Sequence, residues 1–181
     1  MKVVLDACVL YPTVLREILI AVAREGLYTP LWSDRILEEW ARATAKLGPG
    51  AEVLARGEVA RLRATFPAAT MKPRPEIEAR LLLPDPNDTH VLAVAIGGHA
   101  DAILTFNAAD FPRHLLAEEG IARRDPDGFL WELWSHHPQV VARAVETVRA
   151  EAERLSGHPQ QVRALLKRAG LPRLGKALHE S

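Results

Sequence analysis

Acidic residues recur at the ends of the elements that this sequence forms: Asp6, the pair Glu38 and Glu39, Asp88 and Asp110, with Asp85 one turn before Asp88. Each has a structural explanation when taken alone. Asp6 can cap a following turn, Asp88 is a favoured residue at a helix start, and Asp110 can do the same for the helix after Phe111-Pro112. Glu38 and Glu39 can be plain surface glutamates. Together they are harder to dismiss, because like charges brought to one place repel unless something positive lies between them. Hard divalent cations, which take carboxylate oxygens and water, meet that need. A cation held in this way can lower the pKa of a water and stabilise charge on a phosphate under in-line attack. Thr105 and Asn107 could supply neutral hydrogen bonds to such a water or phosphate.

Convergence requires a fold that delivers these positions to one edge. Val3-Val4-Leu5 reads as a central parallel strand, buried on both faces, and Asp6 then stands at its C-terminal end, where open α/β sheets place ligands. A helix follows Tyr11-Pro12-Thr13 with Leu15, Ile18, Leu19 and Val22 on one face, and Gly26 stops it. Leu27 to Trp32 is a second strand, and Ser33 is a good N-cap for the helix striped by Ile36, Leu37, Trp40 and Ala41. Glu38 and Glu39 flank that stripe on opposite sides, so periodicity does not choose between them. After the break at Gly48-Pro49-Gly50 a helix runs to about Thr65, and Pro67 to Lys72 is a third strand. Pro73 and Pro75 mark a loop before the apolar segment Leu81-Leu82-Leu83. The stretch from Pro84 to Pro112 turns at Pro84–Asn87, forms a helix with Val91, Leu92, Ala95 and Ile96, ends it at Gly97-Gly98, and enters a strand over Ala102–Phe106. Asp85, Asp88 and Asp110 then fall near one sheet edge. A helix from Arg113 to Gly120 and an edge strand from Ile121 to Arg123 complete a mostly parallel sheet covered by helices.

Asp125-Pro126-Asp127-Gly128 is a strong turn signal, and the chain is expected to divide into residues 1–125 and a helical extension over 126–181. Equal numbers of basic and acidic residues, 23 each, argue against a generally basic nucleic-acid binder. The charge is uneven, however. No acid occurs from Arg154 to His179, and Arg163, Lys167 and Arg168 in that tail are the first candidates to meet phosphates, with Arg61 and Arg63 second. A hydrophobic share of 48% is enough for a sizeable core. The single cysteine, Cys8, excludes an internal disulfide and a multi-cysteine zinc site. His90, His99, His114 and His136-His137 have no zinc spacing and read as loop or helix-cap residues. The start of the chain does not read as a signal peptide and no apolar run reaches membrane-spanning length, so a soluble cytoplasmic protein without a membrane partner is expected. G-x-S-x-G and G-x-G-x-x-G are both absent, which removes serine-hydrolase and dinucleotide readings. An aspartyl phosphotransferase would need an acid two residues after Asp6, where Cys8 stands.

The segments VLDACVLYP, SDRILEEWARA, DPNDTHVLAVA and TFNAADFP, in this order and spacing, resemble PIN-domain ribonucleases. The closest resemblance is to toxins of VapBC-type toxin–antitoxin systems that carry a helical C-terminal extension. It implies a PIN-like three-layer α/β/α sandwich with a mostly parallel sheet, Mg²⁺ or Mn²⁺ as cofactor, and endonucleolytic cleavage of RNA. It assigns the family acids to Asp6, Glu39, Asp88 and Asp110, with Glu38 as an alternative to Glu39, Asp85 as an additional acid, and Thr105 and Asn107 in support. Cys8 departs from the pattern, because many relatives carry Asn or another polar residue there. An antitoxin partner and a homodimer are also implied. Grooves beside the helices after Tyr11 and Ser33, near Trp32 and Trp40, would take an amphipathic antitoxin helix. The alternative is a PIN fold that binds RNA or protein without turnover.

Overall fold

The structure, a computed structural model, describes residues 1–180. Along the chain β1 (Lys2–Leu5) leads through α1 (Ala7–Leu10) and α2 (Thr13–Arg24) to β2 (Thr29–Ser33), followed by α3 (Asp34–Ala43) and α4 (Ala51–Thr65). Next come β3 (Thr70–Met71), α5 (Pro75–Glu78), a 3-10 turn over Pro86–Asp88, α6 (Thr89–Gly97) and β4 (Ala102–Leu104). The chain then forms α7 (Arg113–Glu118), β5 (Ala122–Arg124), α8 (Pro126–His136), α9 (Pro138–Ser156), α10 (Val162–Arg168) and α11 (Pro172–Glu180). Two compact units result. One comprises Met1–Tyr11 and Tyr28–Arg124, and the other comprises Pro12–Leu27 with the chain from Asp125 onward.

The first unit is built on a five-stranded, all-parallel sheet in the order β3-β2-β1-β4-β5. It has the PIN-like α/β/α character that the motifs imply. Val3, Val4 and Leu5 are fully buried, as a central strand of such a sheet requires. Register does the positioning: Leu5 pairs with Leu104 and Leu104 with Arg124. The residues that leave β1 and β4, Asp6 and Thr105, therefore emerge side by side at the C-terminal edge. Ser33 caps α3 by accepting from the Ile36 N–H at 3.2 Å, which fixes the helix that carries Glu38 and Glu39. Trp32 and Trp40 are fully buried, so they anchor the core and offer no surface to a partner. On α6 every residue from Thr89 to Ala95 is buried, a wider face than the four-residue stripe in the sequence suggests.

Some elements differ from the sequence reading. The third strand is only Thr70–Met71, because only these two residues pair, with Trp32 and Ser33. The apolar segment Leu81–Leu83, to which the sequence reading assigned no element, stays irregular with Leu82 exposed, and Pro84 follows at once. Asp125 begins a helix rather than a plain turn: its carboxylate accepts from the Gly128 N–H at 2.8 Å and Pro126 takes the first helical position.

In the second unit α2 packs against α9, α8 packs against α9 and α11, and α10 packs against α11. The helix after Pro12 thus joins the C-terminal helices, which a single cut near residue 125 does not anticipate. Asp127 of α8 accepts from the backbone N–H groups of Arg173 and Leu174 at 2.8 and 2.9 Å, so it satisfies two donors at the start of α11. The Arg173 guanidinium also lies 3.5 Å over the Trp131 ring. No helix among the described residues is long and apolar enough to cross a membrane. Replacing Asp127 by Ala should cost about 1–2 kcal/mol in thermal unfolding followed by circular dichroism, with Asn, which keeps only one acceptor oxygen for the two N–H donors, recovering part of that loss. Equal stability of all three proteins would show that this cap contributes nothing.

Candidate functional site

Asp85, Asp88 and Asp110 each offer a carboxylate oxygen, and these oxygens lie within 4.8 Å of one another. The three come from the turn before α6 and the loop after β4, as the turn–helix–strand pattern of that stretch leads one to expect. Asp85 caps the 3-10 turn by accepting from the Asn87 N–H at 2.9 Å. Asp88 caps nothing with its side chain, although it stands at the helix start. Its carboxyl is pushed up to about 6, first by burial and then by the charges of Asp6, Asp85 and Asp110, with His90 opposing. Four acids therefore act on one another electrostatically.

Asp6 is buried and held from three sides. Its Oδ1 accepts from the Ala7 N–H at 2.8 Å, and its Oδ2 accepts from the Thr105 hydroxyl at 2.7 Å and the Cys8 thiol at 3.3 Å. The turn-capping role open to Asp6 is thus real, and it occupies only one of the two oxygens. Thr105 Oγ1 in turn accepts from the Asn107 N–H at 3.0 Å, and the Asn107 side-chain amide donates to Asp110. A short hydrogen-bonded chain thus connects Asp6 to Asp110 through the two small polar residues. Cys8 does more than the sequence suggests: besides donating to Asp6 it accepts from the Phe106 N–H at 3.4 Å. Burial, and then the Asp6 charge, push its thiol up to about 11, so it remains a neutral donor at neutral pH.

The two glutamates separate clearly. Glu38 is bound by Arg42 at 2.7 Å and by Arg56 at 2.8 and 3.0 Å, which hold its carboxyl low and turn it to an exposed ion-pair cluster. Glu39 is half-buried, with Arg35 Nε and His90 Nε2 at 3.2 and 3.0 Å from Oε1. Burial pushes the Glu39 carboxyl up, but His90 and then Arg35 outweigh it and leave the group below its ordinary value. Glu39 is therefore tied to the cluster through His90, the imidazole that also acts on Asp88. Neither Asp6 nor Glu39 belongs to the mutually close trio.

Three residues of this site escape a sequence reading. His90 is only 3% exposed, and neither ring nitrogen has a well-directed hydrogen bond; its approach to Glu39 is close but off-axis. It is a buried member of the site rather than a loop or cap histidine, and its place two residues after Asp88 is the one available signal. Arg35 reaches from Glu39 to the Asn87 carbonyl at 3.4 Å, joining α3 to the turn that carries Asp88. Arg123 of β5 donates through Nη1 to the carbonyls of Ala108 and Phe111 at 2.7 and 3.0 Å, clamping the loop on both sides of Asp110. Arg163, Lys167 and Arg168 lie on α10 in the other unit, where Arg168 donates to the Gln160 side chain at 2.7 Å.

The sequence model described as the PIN domain matches residues 2–109. The chain belongs to the PIN-domain family. A second model, described as the VapC50 C-terminal domain, matches residues 126–180. Together the two matches make this a VapC-type PIN protein with a C-terminal extension, at family level a toxin nuclease. Neither a curated protein nor a solved structure matches the chain.

The raised Asp88 carboxyl sets a pH dependence. Between its ordinary value of 3.8 and about 6 the folded state holds the proton more firmly than the unfolded chain, so this group's contribution to stability falls as pH rises through about 6. Metal-free Asp88→Asn should accordingly melt higher than wild type above about pH 6, with the gap closing as pH falls toward 3.8. A gap that does not vary with pH would contradict this account of the cluster.

Proposed function

We propose that this protein is a metal-dependent endoribonuclease and the toxin of a toxin–antitoxin pair. The observation that carries the reading is the crowding of Asp85, Asp88 and Asp110, with the Asp88 carboxyl raised by burial and then by its acidic neighbours. The donor set fits a hard divalent cation: it is all carboxylate oxygen, it carries uncompensated negative charge, and the one nearby thiol stays protonated. Asp6, Glu39, Asp88 and Asp110 would hold Mg²⁺ or Mn²⁺, with Asp85 beside them. Glu38, engaged by two arginines, is the weaker choice for the second acid. When bound, such a cation acidifies water and neutralises charge on a phosphodiester.

The chain's own residues supply orientation. Thr105, Cys8 and the Ala7 N–H fix the Asp6 carboxylate. Asn107 holds Asp110, and Arg35 and His90 hold Glu39. Membership in the family implies an antitoxin partner. An antitoxin arginine placed among the acids would occupy them and switch the site off, and homodimerisation belongs to the same reading.

Incubating the full chain with mixed single-stranded and structured RNA should give cleavage with Mn²⁺ or Mg²⁺ that EDTA abolishes. Asp6→Asn should fold and lose most of that activity. A folded wild type that never cuts, or an Asp6→Asn variant as active as wild type, would favour the rival reading of a PIN fold that binds without turnover. Charge reversal at Arg163, Lys167 and Arg168 together should weaken RNA binding and lower its salt slope by roughly 0.7 for each phosphate no longer neutralised. An unchanged slope would remove the tail from the RNA-binding surface.

A further inference from the structure

The apolar stripe of α9 is longer than the helix that covers it. Val141, Val145, Val148, Ala152 and Leu155 follow one another at alternating spacings of four and three residues, so they lie along one face. α2, which packs on α9, runs antiparallel to it: its end, at Ala21 and Arg24, shares a groove with Val140 and Ala144, and its start, at Thr13 and Val14, shares one with Val148 and Leu155. α9 has 19 residues and α2 has 12, so α9 outruns α2 by roughly 10 Å, about two turns. Burial follows that difference. Val141 and Val145 are buried, whereas Val148 and Ala152 are half-buried and Leu155 is 69% exposed. Where the cover stops, α9 and the start of α2 line an open groove of about 690 Å³. Three carboxylates line it, those of Glu17, Glu146 and Glu151, against the single guanidinium of Arg154. Arg154 is committed to Glu151 by a two-pronged bond at 2.5 and 2.7 Å. Glu146 accepts from Arg149 at 2.7 and 2.8 Å, but Arg149 also holds Glu153 at 2.6 Å and the Gln160 carbonyl at 3.1 Å. Glu146 can therefore turn to another cation without stranding its partner, since exposed pairs of this kind are weak.

We propose that the open end of the α9 stripe is a docking site for a basic amphipathic helix of a partner protein, whose apolar residues pack on Val148, Ala152 and Leu155 while its lysines or arginines meet Glu146 and Glu151. Apolar anchors at helical spacing are how a groove holds such a segment, and the sign of the rim charges chooses among segments of equal hydrophobicity. The same carboxylates repel phosphate, so this face takes protein and not RNA. A second copy of α9 is a poor occupant. Laid antiparallel and centred on the open stripe, it would set Glu151 against Glu151; laid parallel, it would set Glu151 against Ser156, and neither arrangement brings a cation to the acids. The groove belongs to the compact unit that does not contain Asp85, Asp88 and Asp110.

The test is fluorescence anisotropy of the full chain with a labelled synthetic helix of about 14 residues, near four turns, bearing leucines at the stripe spacing and lysines on both flanks. A peptide with glutamates in place of the lysines and one with the same residues in scrambled order are run alongside. The lysine helix should bind saturably and roughly tenfold or more tighter than either control. Leu155→Lys, a change at an exposed position, should weaken that binding roughly tenfold, the loss of a central anchor. Glu146→Lys with Glu151→Lys should reverse the order, so that the glutamate helix binds more tightly than the lysine helix. Circular dichroism confirms that each variant is folded. Absence of saturable binding, equal binding of the lysine and glutamate helices, or indifference to Leu155→Lys would overturn the proposal. Dimerisation of the wild-type chain in sedimentation, lost in Leu155→Lys, would assign the stripe to a second copy and overturn it equally. None of these readouts involves RNA or a metal, so they stand whether or not the chain cleaves RNA.

Discussion

Mutual repulsion among carboxylates at one edge of a parallel sheet is the constraint on which the rest of this molecule turns. Because all five strands run the same way, every strand-to-helix connection of the sheet emerges at one edge. Pairing of β1 with β4 then sets Asp6 against Thr105, and the stretch before β4 brings Asp85 and Asp88 to the same place. Left in water, these acids would separate. Here the backbone holds Asp85, Asp88 and Asp110 within a few ångströms, and burial together with that repulsion raises the Asp88 carboxyl.

The surrounding residues oppose that repulsion from outside without filling its centre. Arg35 and His90 take Glu39, Thr105 and Cys8 take Asp6, Asn107 takes Asp110, and Arg123 holds the backbone around Asp110. None of the cations in this set bonds directly to the trio of Asp85, Asp88 and Asp110. That division explains why Glu39 lies below its ordinary value while Asp88 lies above: both are raised by burial, but the first has an imidazole and a guanidinium beside it that outweigh this, and the second has mainly acidic neighbours that add to it. A site arranged in this way retains negative charge for something positive to meet.

Much of this was legible in the sequence wherever the cause is local. Ser33 caps its helix, Gly26 ends another in a left-handed conformation, and the fully buried run Val3–Leu5 forms the central strand. The turn–helix–strand pattern from Pro84 onward places Asp85, Asp88 and Asp110 on common ground by its spacing alone. What stayed hidden depends on partners distant in the chain. The apolar stripe of α2 shows that the helix buries a face, but not that α9 covers it. Arg123 looks like an ordinary edge-strand arginine until its bonds to Ala108 and Phe111 appear. His90 and Arg35 become site residues only because α3 and the start of α6 meet. Glu38 and Glu39 are equivalent by periodicity, and only Arg42 and Arg56 on one side against His90 on the other distinguish them.

The central claim is that the acid cluster is a hard-cation site. Titration of Mn²⁺ into the metal-free full chain, followed by the loss of its free-ion electron paramagnetic resonance signal, tests it most directly. Saturable binding that weakens strongly in Asp88→Asn and is unaffected by Glu38→Gln is the predicted result. A wild type that leaves the Mn²⁺ signal unchanged, or an Asp88→Asn variant that binds as tightly as wild type, would contradict the account.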